Sequence, residues 1–248
     1  MLIIAVCSGH NVSMKPIFKI EKDSVHRWQA FLPDLLPKLH DYSLLLDSTE
    51  MERAKRFRFD LHRERFILSR AILRQILGLY CELSPKNILF ERGPHGKPRL
   101  KQDVLQFNVS HSHDWAVYVL TNHTEVGVDI EKIEPHFNED VAKRFLSETE
   151  YAALASLPVS EKNRTFYRLW VGREAIIKMS GLGLYSTLPD FSLDLFQDMQ
   201  TVSWHYPNKI HSCYLHYFSV DPDYQSAFAT CQPVSQIVSW QWTLNGFL

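Results

Sequence analysis

The sequence has 248 residues, of which 45% are hydrophobic and 22% are charged, with a formal net charge of −1. This is an ordinary globular composition with enough length for a substantial core, and its near-neutral charge provides no overall field for nucleic acid or a membrane surface. No apolar run approaches the ~20 residues that span a bilayer, and the opening MLIIAVC is too short for the apolar region of a secretory signal. The four cysteines lie far apart without metal-binding spacing, so we expect reduced thiols in a cytoplasmic protein.

The first part of the chain is predicted to be mainly helical. Two prolines interrupt the apolar residues of 24–46, so short helical pieces are expected there. Thr49 with Glu52 has the capping-box pattern that begins a helix, and the spacing of apolar residues predicts a second helix over about 63–77. Glycines and prolines at 93–98 then predict a turn.

Strands and further helices are expected beyond this turn. Ser147 with Glu150 repeats the capping-box pattern, and a later helix should span about 164–179 and end at the glycines of 180–183. Alternating apolar and polar residues predict more strands in the tail, over 212–244. The strands expected between the turn and these helices lie near 104–110, 115–121 and 126–130.

Two helical segments resemble each other at an offset of nearly half the chain. RFILSRAILRQILGLY (65–80) and RLWVGREAIIKMSGLGLY (168–185) both begin with Arg and end in Gly-Leu-Tyr. We therefore predict an α+β fold of two pseudo-repeated subdomains, each a small antiparallel sheet packed with helices. The first would span 1–123 and the second 124–248, with a ligand site at their interface. Because two such halves can complete one site, a monomer is expected.

Positive charge is concentrated in one segment of the chain. Between Met51 and Arg74, eight basic residues are opposed by only three acidic ones. Such a stretch is either a solvated helix face or an anion site, since Arg and Lys on a helix suit phosphate groups. The basic residues are Arg53, Lys55, Arg56, Arg58, Arg63, Arg65, Arg70 and Arg74.

Carboxylates share one face of a short predicted strand. In VGVDIEK, the period-two alternation places Asp129 and Glu131 on the same side, about 7 Å apart. Taken alone, this face is either solvated or a cation site. A second stripe, Trp170, Glu174 and Lys178 at helical spacing, is either a wet Glu–Lys pair or a covered pair that needs partners such as a metal and a phosphate.

Together these segments resemble a known family. FNVSHS (107–112), VGVDIEK (126–132) and WVGREAIIK (170–178) match, in order and spacing, the three motifs of the 4′-phosphopantetheinyl transferases of the larger, single-chain type. GKP at 96–98 and the basic region 56–65 also match. An isolated D-x-E is weak evidence, whereas D-x-E in this context is specific.

The resemblance implies an enzyme that moves the phosphopantetheine arm of coenzyme A to a serine of an apo acyl or peptidyl carrier protein, releasing 3′,5′-ADP, with Mg²⁺ as cofactor. The implied metal ligands are Asp129, Glu131 and Glu174, and Mg²⁺ prefers such oxygen donors together with water and substrate phosphates. Lys178 and His111 are implied at the phosphates of coenzyme A and join Glu174 in the predicted catalytic set. Glu174 or a metal-bound water would take the proton of the carrier's serine.

The other implied residues bind coenzyme A. His95, Gly96 and Lys97 match a turn that meets the adenine side, and Arg53 matches a base that holds the 3′-phosphate. At Glu50 this sequence has an acid near a position where a further phosphate-binding base is common. The complete set predicted to bind coenzyme A is Arg53, His95, Gly96, Lys97, Ser110, His111, Arg173 and Lys178.

Two other functions are compatible with these residues. A Mg²⁺-dependent diphosphate hydrolase would use the same three acids with water as the nucleophile, and would consume coenzyme A without any carrier protein. A phosphate- or nucleic-acid-binding module on the basic stretch would bind in a salt-dependent way and would tolerate the loss of Asp129. We favour the transferase, and expect neither nucleic acid nor a membrane among its partners.

Overall fold

The computed structural model describes residues 18–93, 96–101, 105–181, 191–205 and 210–248. Its helices are α1 (Leu39–Ser43), α2 (Ser48–Lys55), α3 (Asp60–Cys81), α4 (Glu139–Phe145), α5 (Glu148–Ser156) and α6 (Val159–Ser180). Its strands are β1 (Ser24–Phe31), β2 (Phe90–Arg92), β3 (Pro98–Leu100), β4 (Gln106–Ser112), β5 (Trp115–Thr121), β6 (Val126–Lys132), β7 (Met199–His205), β8 (Ile210–Phe218), β9 (Tyr224–Thr230), β10 (Gln236–Thr243) and β11 (Gly246–Phe247).

The first lobe is a sheet of order β11-β10-β1-β5-β4 with α3 packed on one face. Strand β1 pairs antiparallel with β5 and parallel with β10, which places Trp28 opposite Trp240. These two indoles stack with ring centroids 4.8 Å apart. The sheet of the first lobe is therefore completed, beside its central strand β1, by a strand that lies much later in the sequence.

The second lobe is an antiparallel sheet of order β6-β9-β8-β7 covered by α6. Like α3 in the first lobe, α6 has 22 residues and is followed by a residue in the left-handed conformation, Glu82 after α3 and Gly181 after α6. This arrangement confirms the predicted α+β fold of two similar units. It also confirms the helix end at Gly181.

Edge strands β4 and β6 join the two lobes side by side. Asn108 on β4 accepts a hydrogen bond from the backbone N–H of Val128, at 2.9 Å, and Ser112 Oγ accepts one from the N–H of Lys132, at 3.1 Å. Valines from both sheets, with Trp115 and Phe228, form an apolar cluster beside this seam. At this seam, hydrogen bonds from backbone N–H groups of β6 to polar side chains of β4 link the two sheets.

Several local predictions need correction. The first capping box is formed by Asp47 and Glu50, not by Thr49 and Glu52, so α2 begins at Ser48. Strand β1 occupies the start of the region predicted as short helical pieces, because its side chains alternate between the apolar interior and the seam. The capping box of Ser147 and Glu150 is confirmed.

The last strands do not stay with the second half of the chain. β10 and β11 belong to the sheet of the first lobe, so the segment 124–248 does not fold as one separate unit.

Cys81, Cys213 and Cys231 are free thiols, and Cys7 lies outside the described residues. Among the described helices, none has the length and hydropathy needed to cross a membrane.

Helix α6 lies directly on β6 at Gly127. A Cβ at this position would be 2.9 Å from the carbonyl carbon of Lys178 and closer still to the backbone of Ala175 and Met179. Since these are backbone atoms, no rotamer change could relieve the clash. The glycine in VGVDIEK is therefore required for the close approach of the helix and the strand.

A buried ion pair anchors α5 to α6. Glu150 accepts a hydrogen bond from Arg173 Nε at 2.9 Å and from the backbone N–H groups of Ser147 and Leu193, each at 2.8 Å. Arg173 Nη2 donates to the carbonyl of Phe191 at 2.6 Å. The two charged side chains are 0% and 3% exposed, so each depends on the other for its charge partner.

Replacing Gly127 with Ala should lower the free energy of unfolding by about 3 kcal/mol or more, because overpacking against backbone cannot relax locally. Urea titration followed by circular dichroism measures the loss. Gly93→Ala is the matched control, since its Cβ would meet the Lys97 carbonyl oxygen at an ordinary 3.5 Å. Equal stability of the two variants would contradict the assigned role of Gly127.

Arg173→Met should cost about 3–5 kcal/mol, because it leaves the Glu150 carboxylate buried without its counter-charge. Lys55→Met provides the control, since the ion pair of Lys55 with Glu52 is largely exposed, at 66% and 61%, and should contribute less than about 1 kcal/mol. Thermal and chemical denaturation of both variants gives the comparison. A loss for Arg173→Met as small as that for Lys55→Met would refute the anchor.

Candidate active site

Three carboxylates meet where α6 crosses β6. Asp129 and Glu131 project from the strand on the same face, and Glu174 comes from the helix. Asp129 and Glu174 are only 2% and 4% exposed. The contact at Gly127 brings the helix this close, so the carboxylates of two elements remote in sequence share one buried region.

Lys178 lies one helical turn beyond Glu174 and pairs with Asp129, with Nζ 2.6 Å from Oδ1. Ser110, on β4 of the first lobe, donates to the same Oδ1 at 2.8 Å and lies 3.1 Å from Lys178 Nζ. Burial alone would lower the pKa of Lys178, but Asp129 and Glu174 outweigh burial and raise it. The three side chains form a charged triangle that spans both lobes.

Like charges and burial disfavour ionisation of the other two acids. Burial and the neighbouring charge of Asp129 raise the pKa of Glu131 to about 7, although Ser112 donates to its Oε2 at 2.8 Å and opposes the rise. The pKa of Glu174 is likewise raised to about 7, by burial and then by Asp129. One lysine does not balance three carboxylates, so the region carries excess negative charge.

Two buried carboxylate oxygens have no hydrogen-bond partner among the described residues, Oδ2 of Asp129 and Oε1 of Glu174. Unpartnered buried oxygens of this kind are costly and are typically explained by a missing ion or water. In the described ranges, no group of three or more His, Cys, Asp and Glu side chains is already arranged to hold a metal ion. The donor chemistry fits a hard divalent cation, with some movement of the side chains.

Positive charge surrounds His111 on the first-lobe side. This histidine is the next residue after Ser110 on β4, and its side chain reaches solvent. Desolvation lowers its pKa, and the charges of Lys178, Arg53 and Arg65 lower it further. Arg65 is held near this strand by a 2.5 Å ion pair with Asp114 in the β4–β5 turn. His111 therefore favours its neutral form at the edge of a cationic surface.

A cavity of about 530 Å³ lies between α2 and the β2–β3 hairpin. Arg53 of α2 and Arg56, the residue after α2, line one side, and Phe90, Arg92 and Gly96 of the hairpin line the other. Gly96 has φ of +84°, a conformation that glycine adopts without strain. Among the described residues, neither Arg53 nor Arg56 forms an ion pair, so the cavity combines two guanidinium groups with an aromatic wall.

Glu50 lines this cavity but does not present a free charge. Its carboxylate forms ion pairs with Arg70 and with the buried Arg74, the latter at 2.6 Å. Arg70 in turn stacks on the Phe90 ring, 4.0 Å from its centroid. The acid found where a phosphate-binding base is common is therefore neutralised locally.

The structure brings most of the predicted site residues into these two regions. Lys97 lines neither, because its ammonium group bonds to Glu125 and to backbone carbonyls of the second lobe. Arg173, predicted to contact coenzyme A, is enclosed by Glu150 and points into the core rather than the site. His95 lies outside the described residues.

Sequence reasoning missed two positioning side chains. Ser112 holds Glu131, and the alternation of Asn108, Ser110 and Ser112 along one face of β4 is the signal that could have revealed it. Arg70 appeared in the sequence only as one of many bases. Its partner Glu50 is distant in sequence, so no local pattern distinguishes it.

Comparison with known proteins agrees with this geometry. Residues 27–123 match a family described as 4′-phosphopantetheinyl transferase, N-terminal, and residues 125–229 match the 4′-phosphopantetheinyl transferase superfamily.

Curated relatives cover most of the chain. The 4′-phosphopantetheinyl transferase HetI of Nostoc sp. is 37% identical over 174 residues, 68% of this chain and 73% of the relative. The transferase psf-1 of Bacillus pumilus is 36% identical over 183 residues, 73% and 77% of the two chains. Sfp of Bacillus subtilis is 34% identical over 183 residues, 73% and 80%. On this similarity and its extent, the chain belongs to the 4′-phosphopantetheinyl transferase family.

Proposed function

We propose that this protein transfers the 4′-phosphopantetheine arm of coenzyme A to a serine of an apo carrier protein. The serine oxygen attacks the phosphorus that bears pantetheine, the bond from that phosphorus to the bridging oxygen breaks, and the bridging oxygen leaves with 3′,5′-ADP. The observation that carries the proposal is the Ser110–Asp129–Lys178 triangle, which joins the two lobes beside the buried Glu174. A diphosphate at this seam would meet residues of both lobes.

Mg²⁺ is the proposed cofactor, with Asp129, Glu131 and Glu174 as its ligands. The unpartnered oxygens of Asp129 and Glu174 and the excess negative charge support this assignment. When bound, the ion would orient the diphosphate and stabilise the charge that develops on the leaving phosphate. The same cation would relieve the repulsion among the three acids.

Lys178, Ser110 and His111 are proposed to hold the diphosphate. The ammonium group of Lys178 already lies between the two lobes, bonded to Asp129 and Ser110, with 30% of the side chain exposed. A point charge with three donors suits phosphate oxygens. Neutral His111 can donate one further hydrogen bond without adding charge.

Glu174 is proposed to receive the proton of the carrier's serine. Without a bound cation, burial and the charge of Asp129 raise its pKa to about 7. With the cation bound, one carboxylate oxygen could coordinate the ion while the other accepts the proton. The proton would move from the serine oxygen to this carboxylate as the oxygen–phosphorus bond forms. A bound water is the alternative acceptor.

The nucleotide end of coenzyme A is proposed to occupy the cavity between α2 and the hairpin. Arg53 and Arg56 offer guanidinium groups to the 3′-phosphate, and Phe90 and the backbone at Gly96 offer a wall for adenine. Arg173 is not among the proposed contacts, since Glu150 and Phe191 already engage its guanidinium.

The setting of the reaction is also a proposal. A cytoplasmic monomer would suit a site completed by two lobes of one chain. Acyl and peptidyl carriers are the proposed protein substrates, and nucleic acid is not. The basic stretch supports coenzyme A rather than nucleic acid because part of its charge, at Arg70 and Arg74, is neutralised by Glu50.

Asp129→Asn and Glu174→Gln should each lower transfer by about 10³-fold or more while the fold remains intact, because transition-state charge stabilisation at a shared site is lost. Intact-mass spectrometry of an apo acyl carrier protein mixed with coenzyme A and Mg²⁺ detects the added arm, and circular dichroism checks the fold. Chelation of Mg²⁺ should abolish transfer by the unmodified protein.

Three outcomes would contradict the proposed function or its metal site. Mg²⁺-dependent transfer that survives in Asp129→Asn would refute the metal assignment. Cleavage of coenzyme A without modification of any carrier would favour the diphosphate hydrolase. Salt-dependent nucleic-acid binding that is indifferent to the Asp129 substitution would favour the binding module.

Arg53→Gln should raise the KM for coenzyme A about tenfold, since one charge-assisted hydrogen bond to a phosphate contributes about 1.5 kcal/mol or more. The KM for dephospho-coenzyme A, which lacks the 3′-phosphate, should change little. Lys55→Gln on the same helix is the control, because Lys55 lies outside the cavity. Equal effects of Arg53→Gln on both substrates would place the 3′-phosphate elsewhere.

A further inference from the structure

The β2–β3 hairpin forms one wall of the cavity yet has little structure of its own. Each strand has three residues, and the pair forms a separate two-stranded sheet. Its turn is closed by a hydrogen bond from the Gly93 N–H to the Lys97 carbonyl, at 2.9 Å. A two-stranded hairpin of this size is marginal alone, so its position must be set by contacts with the rest of the protein.

Lys97 provides such contacts through a single ammonium group. Its Nζ lies 3.0 Å from Glu125 Oε2, 2.9 Å from the Val126 carbonyl oxygen and 3.5 Å from the Met179 carbonyl oxygen. The side chain is 10% exposed. An ammonium group has three donors, so these three acceptors use its full capacity and leave none for a phosphate.

All three acceptors belong to the second lobe. Val126 is the first residue of β6 and Glu125 directly precedes it, and Met179 lies in the last turn of α6, where carbonyl groups favour a cation. A second base of the hairpin, Arg99, binds the other oxygen of Glu125 at 3.1 Å. The hairpin is therefore attached to the two elements that carry the active-site carboxylates.

We propose that Lys97 is a positioning residue, which fixes the hairpin wall of the coenzyme A cavity at a set distance from the carboxylates of β6 and α6. Coenzyme A has its nucleotide and its diphosphate on one molecule, so both regions must be held in register for it to bind. This inference rests on the proposed function. It assigns Lys97 a contact with Glu125 in place of the predicted contact with coenzyme A.

Two readings of Lys97 make opposite predictions. If Lys97 acts through Glu125, removing either partner should weaken coenzyme A binding in the same way, and removing both should add nothing. If Lys97 contacts coenzyme A directly, at the adenine side or at the 3′-phosphate, the loss of Glu125 should not matter. A contact with the 3′-phosphate would in addition spare dephospho-coenzyme A.

The test compares Lys97→Met, Glu125→Gln and the double variant in steady-state transfer to an apo acyl carrier protein. We expect each single variant to raise the KM for coenzyme A and for dephospho-coenzyme A by the same factor, about tenfold, and the double variant to be no worse. The kcat and the KM for the carrier should stay within about twofold. Lys101→Met is the control, since Lys101 is an exposed lysine directly after β3.

Thermal melts of all variants establish that each is folded at the assay temperature. The proposal is overturned if Lys97→Met leaves the KM unchanged, if the two single effects multiply in the double variant, or if only the KM for coenzyme A rises. The Arg53→Gln measurement distinguishes failure of the proposed coenzyme A cavity from failure of the proposed role of Lys97. If Arg53→Gln shows its effect and Lys97→Met does not, the cavity assignment stands and only the role of Lys97 fails. If neither shows an effect, both fail.

Discussion

The active site depends on one steric condition, the contact of α6 with β6 at Gly127. Backbone atoms of Ala175, Lys178 and Met179 occupy the space that any larger side chain at Gly127 would need. Because the helix lies so close, Glu174 and Lys178 reach the same buried region as Asp129. If α6 lay farther from β6 by the width of a methyl group, Lys178 would move away from Asp129, and the hydrogen bonds among Ser110, Asp129 and Lys178 would be lost.

Charge, rather than shape, gives this region its chemical character. Three carboxylates share one lysine, and burial with mutual repulsion raises the pKa values of Glu131 and Glu174 to about 7. Without a bound ligand, such an arrangement is electrostatically unfavourable, and it is typical of sites that bind a charged ligand. The side chains that support it, Ser110 and Ser112, come from the other lobe, so assembly of the two lobes and assembly of the site are the same event.

The sequence allowed correct prediction of the features that depend on local pattern. The alternation in VGVDIEK, the end of α6 at Gly181 and the capping box at Ser147 each follow from residues close together in the chain. The resemblance of three motifs was sufficient for the family, which the relatives confirm.

What sequence reasoning missed depends on partners distant in the chain. The stacking of Trp28 on Trp240 and the capture of Lys97 by Glu125 join residues that no periodicity connects. Arg173 was assigned to coenzyme A from its place in the matched motif, but helical geometry turns it by about 100° from Glu174 and into the core beside Glu150. Residue-by-residue roles within a matched motif therefore require the three-dimensional partners.

The parallel pairing of β1 with β10 affects when the first sheet can be completed during synthesis. The central strand of the first sheet has β5 on one side and a strand from the end of the chain on the other. Strand β10 begins at Gln236, shortly after β9 ends at Thr230, so this neighbour of β1 is synthesised after all the strands of the second lobe. Until β10 is available, the edge of β1 beside Trp28 has no strand partner, and an unpaired sheet edge of this kind is prone to pair with other chains.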